Sequence, residues 1–129
     1  MAQGILLDSS VVIPHLRGKL DLTVQVPGSE PLFLPLTALG ELYKGVFKST
    51  QPEKNKLLIE TFLQTVAVLH PDTATALYYA QISADLERKG TPIPENDVWI
   101  AAVALECGMP LATRDAHFAQ VDGLKLLCW

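Results

Sequence analysis

Ile93-Pro94-Glu95-Asn96-Asp97-Val98-Trp99-Ile100-Ala101-Ala102-Val103-Ala104-Leu105-Glu106-Cys107-Gly108 is the stretch that decides the fold. Pro94 lies just outside the expected helix start, Asn96 is a good N-cap, and Gly108 is a good stop. Between them Val98, Ile100, Ala101, Ala102, Val103, Ala104 and Leu105 make the segment apolar on most of its circumference. Such a helix belongs in a core. Asp97 then sits at the first turn of a core helix. Taken alone, it either complements the helix dipole, worth about 0.3–1 kcal/mol, or marks the polar mouth of the domain.

Working outward, the helix is followed by Pro110-Leu111-Ala112, a short apolar strand that runs into Thr113-Arg114-Asp115. At the other end of the chain Gly4-Ile5-Leu6-Leu7 is a similar run and stops at Asp8. Both read as buried parallel strands. Leu32-Phe33-Leu34, Val66-Ala67-Val68-Leu69 and Lys125–Cys128 are the remaining strand candidates. Helices are expected over Val11–Leu16, capped by Ser9 or Ser10, and over Ala38–Lys48, capped by Thr37. Another opens at Pro52 with Leu57, Leu58, Phe62 and Leu63 on one side, and a long one runs from Asp72 or Thr73 to Lys89. Residues 19–31 read as loop, with Pro27, Gly28 and Pro31 as breakers, and a helical turn is expected around Ala116–Ala119.

Short apolar strands alternating with helices predict an α/β domain with a parallel sheet covered on both faces. Two helices fall between strands two and three, and again between strands three and four. One of each pair must lean away from the sheet, and the pair over residues 37–64 is a candidate projecting hairpin and partner surface.

The chain has 129 residues, 49% of them hydrophobic, and forms one domain over 1–129 with a real core. No apolar run reaches membrane-span length, and no secretory signal is expected at the N-terminus. Cys107 and Cys128 form no metal-type spacing and read as reduced core thiols, which suits a cytoplasmic protein. The net charge of −4 argues against gripping nucleic acid by bulk charge. Bound divalent cations would reverse the local field of an acidic site, so a nuclease stays open.

In an open parallel sheet, sites form beyond the carboxyl ends of the strands. Asp8 ends strand one, and Asp115 follows strand four. Asp97 begins the helix leading back to strand four, and Glu41 lies near the start of the helix after strand two. All four are therefore expected in one mouth. Two carboxylates about 5 Å apart repel by roughly 3 kcal/mol at an effective dielectric of about 20. Protons or cations must relieve that, and all-oxygen ligands favour Mg²⁺ or Mn²⁺. A magnesium site that keeps waters suits phosphodiester cleavage by metal-activated water. Each acid also has a plain reading: Asp8 as a turn residue, Glu41 as a solvated helix residue, Asp97 as a helix-end charge, Asp115 as a cap.

Four pieces in order resemble the PIN-domain family, and within it the VapC-type toxins of toxin–antitoxin pairs. They are Leu7-Asp8-Ser9-Ser10-Val11-Val12-Ile13, Thr37-Ala38-Leu39-Gly40-Glu41-Leu42-Tyr43-Lys44-Gly45, Pro94-Glu95-Asn96-Asp97-Val98-Trp99-Ile100-Ala101-Ala102, and Leu111-Ala112-Thr113-Arg114-Asp115-Ala116-His117-Phe118. The resemblance implies a three-layer α/β/α fold with a five-stranded parallel sheet and a Mg²⁺- or Mn²⁺-dependent ribonuclease. Asp8 and Asp97 match the family's main metal ligands, and Glu41 and Asp115 its other acidic positions. Ser9 and Thr113 match smaller polar positions that hydrogen-bond behind the acids. Ser9-Ser10 departs from the Thr-Asn often found after the first aspartate. The resemblance also implies an RNA substrate, a homodimer and an antitoxin that blocks the site.

Other residues invite plainer readings. His15, His70 and His117 make no zinc spacing. His117, beside Phe118, reads as a capping or packing residue ahead of a substrate-facing one. Lys44, Lys48, Lys54 and Lys56 read as a solvated face ahead of an RNA edge. Tyr78 and Tyr79 read as core or interface residues. Two other functions fit a parallel sheet with acids at its strand ends: a catalytically silent interaction module, and a receiver-like phosphoacceptor domain. The latter would want adjacent acids at strand one, where Asp8 is followed by two serines.

Overall fold

The computed structural model describes residues 4–129. Its sheet has five parallel strands: β1 (Ile5–Leu7), β2 (Leu32–Pro35), β3 (Ala67–Leu69), β4 (Leu111–Ala112) and β5 (Leu126–Leu127). Each lies within a residue of its expected position. The strand order is β3-β2-β1-β4-β5. The chain moves outward from β1 to β3, then returns past β1 to β4. The order reverses between β1 and β4, which is where such sheets open a crevice. Register there is Leu6 opposite Leu111 and Leu7 opposite Ala112. The next residues, Asp8 and Thr113, consequently emerge side by side.

The helices are α1 (Ser9–Leu16), α2 (Leu22–Gln25), α3 (Leu36–Phe47), α4 (Pro52–Phe62), α5 (Thr73–Lys89) and α6 (Glu95–Cys107). Right-handed crossovers assign α1–α4 to one face of the sheet and α5 and α6 to the other. The α/β/α sandwich is the architecture expected. No helix among the described residues is long and apolar enough to cross a membrane.

The apolar run in α6 does what its composition requires. Asp97, Val98 and Ile100–Ala104 are all buried, and Gly108 closes the helix in the left-handed region at φ 65°. The doubled helices divide the work unevenly. Helix α6 lies in the core, and α5 packs against it with Ile82 and Leu86 buried. The pair is also tied by Thr75, whose hydroxyl donates to Glu106 Oε1 at 2.5 Å. On the opposite face α3 buries Ala38, Leu42 and Val46, whereas α4 buries only Ile59 and Phe62. Leu57 and Leu58 remain exposed, so α4 is the outlying member of the 37–64 hairpin.

Several local expectations are corrected. Within the expected loop, Asp21 caps the single turn α2 through the Thr23 amide, and Leu22 is buried as its anchor. Helix α1 starts at Ser9 with Asp8 as its cap, because the strand enters the helix without a linker. Helix α3 starts at Leu36 after Pro35 with no side-chain cap, so Thr37 lies inside it. Pro94, not Asn96, occupies the cap position of α6. Both cysteines are exposed rather than buried, Cys107 where α6 leaves the core and Cys128 just beyond β5.

Candidate active site

Asp8 is built into the β1–α1 junction twice over. As the cap of α1 it accepts from the Ser10 amide at Oδ2, 3.4 Å. The same oxygen accepts from Ser10 Oγ at 2.6 Å and from Thr113 Oγ1 at 2.9 Å. The carboxylate is almost wholly buried, yet three donors hold it, as a buried charge requires. Two of those donors come from its own helix turn and one comes from across the switch point.

Thr113 and Ser10 stitch the two sides of that crevice together. Their hydroxyls lie 3.1 Å apart. Thr113 Oγ1 also accepts from the Asp115 amide at 2.9 Å, and Ser10 Oγ accepts from the Arg114 amide at 2.8 Å. The loop after β4 is thereby fastened to the start of α1. Asp115 in turn caps the 3₁₀ turn Ala116–Gln120, accepting from the His117 amide at 2.9 Å.

Asp97 enters from the first turn of α6 and is 6% exposed. Glu41 enters from the second turn of α3, half-buried, and accepts from Ser9 Oγ at 3.2 Å. The charges feel one another. Burial pushes the Asp97 carboxyl up from 3.8 to about 6, reinforced by Asp115, Asp8 and Glu41 and only partly opposed by His117. Burial and the Asp8 charge likewise raise Glu41, against donors from Ser9 and Asn96.

Glu41, Asp97 and Asp115 line an open mouth of about 400 Å³ together with Pro94, Glu95, Asn96 and His117. Asp8 lies behind them, close enough to shift both Glu41 and Asp97. All four acids singled out in the sequence thus converge at the carboxyl ends of the strands. Ser9 and Thr113 touch two of them, Glu41 and Asp8. A larger cavity of about 720 Å³ lies among α1, α2 and α4, and none of the four acids lines it.

Three contributors escaped the sequence reading. Ser10 bonds Asp8 where Ser9 does not, a relation that the i to i+2 spacing of an Asx turn would have signalled. Asn96 sits beside Glu41 instead of capping α6. His117 brings Nδ1 to 2.9 Å from Asp115 Oδ1 and 3.3 Å from Asp97 Oδ2. It brings a basic side chain against these acids, whereas Arg114 is turned to the Trp129 carbonyl at 2.8 Å. The Asp115-x-His117 spacing across a cap was the available signal.

Comparison with known proteins agrees with this architecture. The sequence pattern of the PIN domain matches residues 5–124. The tRNA(fMet)-specific endonuclease VapC of Salmonella typhimurium is 32% identical over 89% of this chain and 84% of its own. DNA-bound VapBC from Salmonella typhimurium contains a chain that superposes with a TM-score of 0.89, at 30% identity over 100% of this chain and 99% of that one. VapBC-1 from nontypeable Haemophilus influenzae gives a TM-score of 0.86, at 28% identity over 97% of each chain.

Proposed function

This chain belongs to the PIN-domain family, and on that premise we propose that it is a Mg²⁺- or Mn²⁺-dependent ribonuclease, the toxin of a toxin–antitoxin pair. The observation that supports this best is the meeting of Asp8, Glu41, Asp97 and Asp115, with Asp97 driven up to about 6 by burial and by the other three. A cluster under that repulsion is one that a hard cation relieves, and its oxygen donors fit one. Asp8 and Asp97 would hold the ion, with Glu41 and Asp115 completing the set. When bound, it supplies a Lewis acid that activates water and steadies charge on the leaving oxygen.

The chain's own side chains supply the positioning. Ser10 and Thr113 pin Asp8 through Oδ2, and Thr113 also fixes the loop that carries Asp115. Acids held this way need little rearrangement when charge develops beside them. Lys44 on α3 and Lys48 at its C-cap, with Lys54 and Lys56 on α4, are exposed on the hairpin that also carries Glu41. They offer phosphate contacts that offset the acidic net charge.

The partner reading follows from the same relatives, whose structures are VapBC assemblies. Exposed Leu57 and Leu58 border the 720 Å³ cavity, which is also lined by Leu22, Val26 and Phe62. That apolar surface suits an antitoxin segment. The homodimer is carried by the family likeness, and light scattering at several concentrations tests it.

The decisive experiment incubates the purified full chain with total RNA and with tRNA(fMet), in Mg²⁺, Mn²⁺ or EDTA, and sequences the RNA ends. Cleavage with either metal and none in EDTA is expected. A folded protein that cuts no RNA in either metal would overturn the nuclease reading and favour a silent interaction module.

A further inference from the structure

His117 lines the mouth but lies outside the four-acid pattern. It stands on the 3₁₀ turn after β4, directly before fully buried Phe118, which anchors that turn in the core. Its own amide bonds Asp115 Oδ1, so ring and carboxylate share a two-residue hook. The ring then places Nδ1 at 2.9 Å from Asp115 Oδ1 and 3.3 Å from Asp97 Oδ2. One ligand atom from each of Asp97, Asp115 and His117 lies within 4.8 Å of the other two.

Those separations are informative. Around an octahedral ion with bonds of about 2.1 Å, neighbouring ligand atoms are about 3.0 Å apart and opposite ones about 4.2 Å. The two separations from His117 Nδ1, 2.9 and 3.3 Å, lie near the spacing of neighbouring ligands, and the ligand atoms of Asp97 and Asp115 lie within 4.8 Å of each other. We propose that His117 is a nitrogen ligand of the cation site, which makes the site a mixed nitrogen–oxygen one that favours Mn²⁺ over Mg²⁺. Mg²⁺ is hard and takes oxygen, whereas ions later in the first row accept imidazole more readily. The inference rests on the metal-site reading given above and goes beyond it by naming a ligand and a preference.

The alternative role of the ring gives the opposite sign. If the imidazole only fills the place of a cation between two carboxylates, it competes with the metal, and its removal tightens binding. The side chain is 54% exposed, so His117→Ala disturbs little packing and keeps the amide bond to Asp115.

The test is calorimetric titration of the metal-freed full chain with Mn²⁺ and, separately, Mg²⁺. Electron spin-echo spectroscopy of the Mn²⁺ sample then looks for ¹⁴N coupling. His117→Ala is expected to weaken Mn²⁺ binding by at least about tenfold and Mg²⁺ binding by less than about threefold. The ¹⁴N modulation should be present in the wild type and lost in the variant. Equal losses for both ions, unchanged or tighter Mn²⁺ binding, or a wild type without ¹⁴N modulation would overturn the role of His117. Failure of the underlying reading looks different: the wild type binds neither ion, or Asp97→Asn binds both as the wild type does.

Discussion

Replacing Asp97 by Asn separates a cation-holding role from a structural one. The side chain is 8% exposed, so its electrostatic penalty is little screened by water. Its carboxyl rises from 3.8 to about 6 in the folded chain. A shift of about 2 units corresponds to about 3 kcal/mol of destabilisation once the group is ionised. The folded value lies above the unfolded one, so the folded state keeps the proton longer. The contribution of this group to the stability of the metal-free protein is therefore fully present below pH 3.8 and is lost as pH rises through about 6. The amide of the Asp97→Asn variant cannot ionise and escapes this loss, although His117 loses one carboxylate partner. The net gain expected at about pH 8 in EDTA is about 1–3 kcal/mol. For 129 residues that raises Tm by roughly 4–11 °C. At about pH 4 or below the two proteins should melt together. With Mg²⁺ or Mn²⁺ added, the wild type gains stability by mass action and the variant gains much less. RNA cleavage should be abolished. Melting scans against pH, with and without metal, check the first part. An Asp97→Asn variant that melts lower than the wild type at high pH in EDTA, or cuts RNA at the wild-type rate, refutes the reasoning.

Three further outcomes follow from the packing around the site. Thr113→Val keeps the shape but removes a donor to Asp8 and an acceptor for the Asp115 amide, and urea denaturation should show a loss of about 1–3 kcal/mol. Phe118→Ala empties a fully buried position beneath the His117 turn, and the same denaturation should show a loss of about 3–5 kcal/mol. Gly108→Ala forces a Cβ into the left-handed stop of α6 at φ 65°; about 1 kcal/mol of stability should be lost, with the metal titration unchanged.

Much of the fold was legible because its signals are local. The apolar run of α6, the short apolar strands and the Gly stops at 90 and 108 each act within a few residues. The alternation of strand and helix then limits the topology, since crossovers are right-handed. Local chemistry was less decisive where two residues competed for one task. Asp8, Ser9 and Ser10 are all good caps, and the winner depends on where the strand lets go of the chain. Leu22 was hidden among loop residues because one buried side chain has no period to betray it. The cysteines misled because apolar neighbours in sequence do not say which side of an element faces water.

The site divides in the same way. Its four acids stood out in the sequence because each follows a strand or opens a helix at the same end of a parallel sheet. Their mutual strain, and the company they keep, came only from tertiary structure. Thr113 reaches Asp8 across 105 positions because β1 and β4 pair with Leu7 opposite Ala112, a register that leaves no trace in either segment alone. His117 reaches Asp97 only because the 3₁₀ turn after β4 lies against the start of α6. Sequence determined which groups could carry charge and where the backbone would turn. Packing determined which of those charges are buried together, and burial is what makes their repulsion strong enough to matter.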